Sequence, residues 1–155
     1  MKWRLRNIGW WPPLLGTGIR VTRVDEDMRA IDVEMPLRRW NKNYVGVQFG
    51  GSLFAMTDPF YMVMLATNLG NEYVVWDKAA SIRYKKPGTG RVCAEFRLSE
   101  ERLAEIRAAI EAEGRHDAKF AVELKNDDGE VIAEVERVIY CATKAAYLER
   151  KKMRG

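Results

Sequence analysis

The sequence predicts one α+β domain in which an antiparallel sheet wraps around one long buried helix. Three observations predict it. Several segments alternate apolar and polar side chains as half-buried strands do. The run over about residues 50–69 is apolar on every face, which is typical of a helix enclosed by other elements. The chain has 155 residues, enough for a single core, so one domain is predicted over residues 1–155.

Turn residues and proline separate the predicted elements. In chain order these are a helical extension over 1–17, strands at 19–24 and 30–35, a loop at 38–47, the buried helix, a central strand at 73–86 and a strand at 92–98. On the central strand, Asp77 is interpreted as the ion-pair partner of Lys78, or alternatively as part of the lining of an acyl pocket. Pro59 is expected to bend the buried helix just after Asp58.

The second half of the chain predicts a surface helix and a hairpin. Ser99 is the expected N-cap of a helix that ends at Glu113, before Gly114. Strands at 118–125 and 131–141 flank the sequence NDDG, which favours a hairpin turn. The alternation of the last strand is interrupted at Arg137, and this predicts a bulge or a position at the rim of the sheet.

The composition is that of a soluble globular protein, with 47% hydrophobic and 31% charged residues. The net charge is +4, and its position matters more than its size. The basic tail over 143–155 has five basic residues and one acidic residue. The rest of the chain has equal numbers of both, and no base-recognition motif is present, so no nucleic-acid partner is predicted.

Cysteine, histidine and apolar runs give further expectations. Cys93 and Cys141 are far apart and His116 is the one histidine, so neither a disulfide nor a metal site is predicted. The N-terminus lacks the apolar core of a secretion signal. The longest apolar run, about 14 residues, is shorter than the roughly 20 that cross a membrane. A cytoplasmic protein without a membrane span is expected.

Asp58 is the first candidate catalytic residue. Between Leu53 and Ala66 the polar side chains, apart from the phenol of Tyr61, are Thr57 and Asp58. A buried carboxylate costs several kcal/mol unless it is paired, hydrogen-bonded or used. The alternative is a structural acid that accepts hydrogen bonds from Thr57, Tyr61 or a partner subunit.

Gly50 and Gly51 begin the predicted buried helix. The first N–H groups of a helix lack partners within it, so a substrate carbonyl could approach them there as it does in an oxyanion hole. The alternative is close packing of the helix. Asp58 lies about 12 Å further along the helix, too far for both to contact one carbonyl within one chain.

These residues form a motif that resembles a known signature. The pattern N-x-x-G-x-x-F-G-G-x₆-D comprises Asn43, Gly46, Phe49, Gly50, Gly51 and Asp58. It is similar to the signature of hotdog-fold acyl-CoA thioesterases of the phenylacetate-degradation and 4-hydroxybenzoyl-CoA types. Further matches are Tyr84, Pro87, Gly90, Val92, Ala94, Gly129, Val131 and Ala133. The stretches FGGSLFAMTDPFY and VVWDKAASIRY resemble still more a hotdog branch filed as a domain of unknown function.

The resemblance implies a hotdog fold and a homodimer, or a tetramer built from it, with sites at the subunit interface. The implied substrate is acyl-CoA or another acyl thioester, with no cofactor except coenzyme A as part of that substrate. Asp58 would be the nucleophile or general base. The N–H of Gly51 or Gly50 would polarise the thioester carbonyl, and Asn43 would orient water or the carbonyl.

Phe49 departs from the family pattern, which usually has histidine at this position. Gln48 beside it is a candidate to compensate. The expected substrate-binding residues are Gln48, Phe49, Tyr84, Lys85, Lys86 and Arg91. The cations would meet coenzyme A phosphates; the alternative is that they are solvated charges at a strand end. The predicted function is thioester hydrolysis, and the alternative, which Phe49 motivates, is a non-catalytic acyl- or CoA-binding protein.

Overall fold

The computed structural model describes residue 5 and residues 7–154, and it contains a six-stranded antiparallel sheet in the order β1-β2-β4-β5-β6-β3. The strands are β1 (Arg20–Val24), β2 (Ala30–Met35), β3 (Tyr73–Tyr84), β4 (Val92–Arg97), β5 (Arg115–Asn126) and β6 (Val131–Thr143). The helices are α1 (Gly50–Ala55), α2 (Phe60–Leu69), α3 (Glu100–Glu113) and α4 (Lys144–Arg154). The predicted α+β class with an antiparallel sheet is confirmed.

The core lies between α2 and one face of the sheet, which we call the inner face. Alternation in β4 turns Val92, Ala94 and Phe96 into this core. The ring of Phe96 contacts Phe60 and Tyr61 of α2, with centroid distances of 4.8 and 5.2 Å. Each such aromatic side chain contributes about 1.5–3 kcal/mol on full burial, so this contact holds α2 on the sheet.

The buried helix is divided in two, so the prediction of one long helix over 50–69 is wrong. Thr57 and Asp58 donate their amides to Phe54 and Ala55 carbonyls, each at 3.1 Å, and form a tight turn. The following residue, Pro59, has no amide hydrogen to continue the helical ladder. The bend expected at Pro59 is therefore a complete break between α1 and α2.

Strand β3 lies at an edge of the sheet, so the prediction of a central strand is wrong. It pairs with β6 alone among the described strands. A bulge between Asp77 and Ala79 shifts its register. The strand is rich in apolar residues because one of its faces is buried, where Val75 and Ile82 pack on the core. Composition does not indicate whether one strand or two strands pair with it.

Helix α3 is confirmed as predicted. The Ser99 hydroxyl accepts a hydrogen bond from the Arg102 amide at 3.1 Å, and Gly114 ends the helix in the left-handed conformation with φ 74°. Ile106 and Ile110 are buried. The predicted hairpin is also present, with both strands longer than expected.

The two ends of the chain are helical over part of their length. Residues Ile8–Trp10 form one 3₁₀ turn, and residues 1–4 and 6 of the predicted helical extension lie outside the described residues. The basic tail forms α4, for which the sequence predicted no structure. None of the described helices has the length and apolarity that crossing a membrane requires.

Candidate functional site

Asp58 lies in the break between α1 and α2, and its side chain is 62% exposed. The expectation of a buried carboxylate inside the helix is therefore wrong for the single chain. The break turns the side chain out of the core, toward the edge of the sheet. There Asp58 Oδ1 and its carbonyl oxygen both accept hydrogen bonds from Arg137 Nη2, at 2.6 and 2.9 Å.

Arg137 is the residue that the sequence prediction missed. Its side chain is 2% exposed, at an inward-facing position of β6 between the buried Val135 and Ile139. The prediction of a bulge or a rim position is therefore wrong. Arg137 follows the alternation of β6 and faces inward, because carboxylates neutralise its charge within the core. Its Cζ also lies 5.6 Å from the centre of the Phe54 ring. An arginine in the apolar phase of a strand was the available indication of an internal ion pair.

Asp77 is the second carboxylate on this guanidinium. It faces inward from β3, and its Oδ1 accepts hydrogen bonds from Arg137 Nη2 at 2.7 Å and Nε at 3.2 Å. The interpretation that Asp77 pairs with Lys78 is wrong, since Lys78 pairs with Asp117. Burial raises the pKa of Asp77 above its ordinary value; hydrogen bonds and charge from Arg137 oppose the rise, and Asp58 adds to it.

We call Asp58, Asp77 and Arg137 the carboxylate cluster. One guanidinium faces two acids, so the cluster is negative when both are ionised. The Asp58 carboxylate is held at one oxygen and remains largely open to solvent. An oriented and accessible carboxylate can accept a proton from water or attack an electrophile.

A second region gathers six of the predicted site residues. It is a cleft of about 370 Å³, which we call the Tyr84 cleft, and its lining comprises Asn43, Val47, Gln48, Gly50, Leu53, Tyr84, Lys85, Lys86, Pro87 and Gly88. Four predicted residues lie outside this lining: Phe49, Gly51, Asp58 and Arg91. Six of the predicted site residues thus line one cleft, and Asp58 lies apart from it, as the sequence predicts for a single chain.

Close contacts explain the two glycines at the start of α1. The Tyr84 hydroxyl donates to the Gly50 carbonyl at 2.9 Å, and a Cβ at Gly50 would lie 2.9 Å from that hydroxyl. A Cβ at Gly51 would lie 2.5 Å from Cε1 of Phe49. Close packing thus accounts for both glycines. Their amides meet no acceptor among the described residues, so they are available to a carbonyl oxygen.

Two amide side chains shape the cleft. Asn43 Oδ1 accepts hydrogen bonds from the amides of Val45 and Val47, at 3.0 and 3.1 Å, which fixes the loop. Gln48 is 3% exposed, and its Nε2 donates to the carbonyls of Met35 and Gly90. Gln48 therefore has no side-chain donor left to replace the histidine of the family pattern, while its Oε1 has no partner in the part of the chain that the structure describes.

The predicted phosphate-binding cations all have acidic partners. Lys85 pairs with Glu134 at 3.1 Å, and Lys86 pairs with Glu130. Arg91 contacts Asp127 and Glu34 at 2.7 and 3.2 Å. An incoming phosphate would have to compete with these carboxylates.

The carboxylate cluster and the Tyr84 cleft lie at separate places on the inner face of β3, the cluster near the middle of the strand and the cleft at its C-terminal end. Asp77 and Tyr84 are seven positions apart, which is roughly 23 Å along a strand. Within one chain they cannot contact the same carbonyl. Among the described residues, no group of three or more His, Cys, Asp or Glu side chains is arranged to hold a metal ion.

Fold and site together define an α+β protein whose exposed edge strand carries a carboxylate cluster near its middle and a cleft at its C-terminal end. Residues 6–141 match the family described as a domain of unknown function, DUF4442, and the chain belongs to that family. No curated protein sequence matches this chain significantly.

Solved structures share the fold. A Pseudomonas aeruginosa protein of unknown function, described as a probable thioesterase, is 19% identical with a TM-score of 0.78, covering 92% of this chain and 96% of its own. A Chlorobaculum tepidum protein of unknown function is 17% identical with a TM-score of 0.72, covering 91% and 93%. A Haemophilus influenzae thioesterase is 12% identical with a TM-score of 0.64, covering 90% and 88%. At these identities the likeness is one of fold.

Proposed function

We propose that the protein is a hotdog-fold thioester hydrolase that acts on acyl-CoA or another acyl thioester, at a site formed by two copies of the chain. The observation that carries this proposal is Asp58, a largely exposed carboxylate held by a buried arginine. The thioesterase descriptions of proteins with the same fold support the reaction class.

Asp58 would activate water or attack the thioester carbonyl itself. Arg137 fixes one carboxylate oxygen, which leaves the other free to accept a proton or form the new bond. Water then supplies the hydroxyl group of the released acid and the proton of the released thiol. Arg137 acts as a positioning residue, because it contacts Asp58 from within the core.

The Tyr84 cleft would supply the groups that stabilise the developing oxyanion. The amides of Gly50 and Gly51, which meet no acceptor in the described part of the chain, are the candidate donors. The Nδ2 group of Asn43 is a further donor, because the loop contacts of that side chain use only its oxygen. Phe49 lies beside these amides, outside the lining of the cleft, and offers an apolar surface to the acyl group.

A second copy of the chain would bring the two halves together. The outer edge of β3 pairs with no other described strand, and a long exposed strand edge is prone to association. Ala79, Ala80 and Ser81 at its centre are small and exposed. Antiparallel pairing of two β3 strands around a twofold axis near Ser81 would place Asp77 of one subunit close to the partner subunit's Tyr84.

The test is thiol release from a panel of aliphatic and aromatic acyl-CoA substrates by the wild type and Asp58→Asn. Loss of a general base lowers the rate by roughly 10²–10⁴-fold. Glu136→Gln is the matched control, since Glu136 adjoins Arg137 in β6 and is exposed. Equal rates for wild type and Asp58→Asn would exclude Asp58 from the chemistry, and no release from any thioester would reject hydrolysis.

The position of Phe49 favours one alternative, a non-catalytic protein that binds an acyl group or coenzyme A. Its ring lies against Gly51, where the family pattern has an imidazole. Under this alternative, coenzyme A raises the melting temperature without any thiol release. Stabilisation together with turnover that depends on Asp58 would exclude it.

A further inference from the structure

A second cleft, of about 470 Å³, lies between the outer face of the sheet and α4, and we call it the outer cleft. Three aromatic side chains line it: Trp76, Tyr140 and Tyr147. Trp76 stands opposite Tyr140 in the β3–β6 register, with ring centroids 5.5 Å apart, and Tyr147 of α4 lies 6.3 Å away. Trp76 is still 51% exposed. The indole therefore keeps a free surface on which a planar ring can stack.

Four basic side chains complete the lining: Lys78, Arg115, Arg150 and Lys151. Lys78 is neutralised by Asp117. The other three have no ion pair within the described residues, and no acidic residue is part of the lining. Cations that converge without a counterion repel one another, so this arrangement favours an anionic ligand. Part of the excess charge of the basic tail is thereby concentrated at one cleft.

We propose that the outer cleft binds a nucleotide, with the base stacked on Trp76 and the phosphates on Arg115, Arg150 and Lys151. Guanidinium groups match the geometry of phosphate oxygens, and base–aromatic stacking adds affinity. The volume lies within the range of small-molecule sites. The proposal does not depend on thioester hydrolysis, because Trp76 faces away from Asp77 and its carboxylate cluster. The nucleotide is either free or the adenine nucleotide end of coenzyme A.

Isothermal titration calorimetry with ADP, adenosine and coenzyme A tests the proposal without requiring turnover. ADP binds the wild type, and adenosine binds at least roughly tenfold more weakly because it lacks phosphate. Arg150→Gln and Arg115→Gln each weaken ADP binding roughly tenfold. Because Arg115 lies on β5, the second variant separates phosphate binding from the docking of α4. Lys152→Gln is the matched control on the same helix, outside the lining, and leaves ADP binding unchanged.

The source of the nucleotide follows from the coenzyme A titrations. If coenzyme A competes with ADP and the two arginine variants weaken both, the site holds the nucleotide end of coenzyme A. If the variants weaken ADP alone, the ligand is a free nucleotide. The proposal is overturned if ADP does not bind at millimolar concentration, if adenosine binds as tightly as ADP, or if a single-stranded RNA oligomer binds these residues more tightly than ADP.

Discussion

The carboxylate cluster and the Tyr84 cleft share the inner face of β3 but differ in chemistry. The cluster consists of charged side chains around a buried guanidinium. The cleft consists of backbone amides and neutral hydrogen bonds, with lysines already paired to acids at its rim. The cluster can accept a proton, and the cleft can donate hydrogen bonds to an oxyanion. Each region therefore has what the other lacks, which is the physical reason to expect that two copies cooperate.

The largest expected effect is restored activity when two inactive variants are mixed. Asp58→Asn removes the carboxylate, and Gly50→Val fills the Tyr84 cleft, since any Cβ there meets the Tyr84 hydroxyl. After unfolding and refolding together, about half of the dimers are mixed, and each has one intact site, so about a quarter of wild-type activity returns. Thiol release measures this, and no recovery would reject a site that two copies share.

The next largest expected effect is the formation of a disulfide between two copies of the chain, across the proposed twofold axis. Facing Cα atoms of an antiparallel pair lie about 4.5–5.5 Å apart, within disulfide range. Ser81→Cys in a Cys93→Ser background should therefore give mostly covalent dimer on mild oxidation. Burial raises the pKa of the remaining Cys141 to about 12, so that thiol stays unreactive.

Non-reducing electrophoresis detects the covalent dimer. Arg83→Cys in the same background is the matched control, because its two copies would be about 13 Å apart along the paired strands. If both variants crosslinked equally, or if Ser81→Cys did not crosslink, the twofold axis would not lie near Ser81.

Arg137→Met should lower the free energy of unfolding by about 2–3 kcal/mol. Breaking a fully buried ion pair costs roughly 3–5 kcal/mol, and the partly exposed carboxylates reduce the loss here. Denaturant unfolding measures it. Arg83→Met on the exposed side of β3 is the control, with a change of less than about 0.5 kcal/mol. If Arg137→Met left the free energy of unfolding unchanged, the carboxylate cluster would make no net contribution to stability.

Tyr84→Phe should lower the free energy of unfolding by about 1 kcal/mol or less. It removes one neutral hydrogen bond, from the hydroxyl to the Gly50 carbonyl. Tyr44→Phe is the control, since Tyr44 is fully exposed. A loss as large as that of Arg137→Met would remove the energetic difference between the two regions.

The smallest expected effect is a pH dependence of the free energy of unfolding that comes from Asp77. Burial raises its folded-state pKa above the ordinary value of 3.8, so the folded protein binds this proton more tightly than the unfolded chain does. The resulting stabilisation is complete below pH 3.8 and is lost as the pH rises through the folded pKa. Wild type should thus lose stability relative to Asp77→Asn over that window. A relative gain would mean that pairing with Arg137 outweighs burial.

Elements defined by neighbouring residues were predictable. Helix α3 follows from Ser99, two acids in its first turn and Gly114, and the β5–β6 hairpin follows from its turn sequence. Caps and turns act within a few residues, so the local sequence determines them. The break in the buried helix was only partly predictable, because Pro59 indicates a bend but not its size.

Contacts between distant residues were not predictable in the same way. Arg137 is 79 positions from Asp58, and the two meet because the break between α1 and α2 packs against the inner face of the sheet. The pairing of β3 with β6 adds Asp77 to the same guanidinium. The docking of α4 beside Trp76 likewise depends on aromatic contacts with the outer face of the sheet, which the charge of the tail does not indicate.

The sequence by itself determined the strands, the cap of α3, the glycine pair and the position of Asp58 in the chain, because periodicity and backbone chemistry are local properties. The tertiary structure alone decided that Asp58 points outward, that a buried arginine holds it, and that the cleft lies further along β3. The physical reason is that ion pairing and packing depend on which residues the sheet register brings together, and one strand's composition does not specify its neighbours.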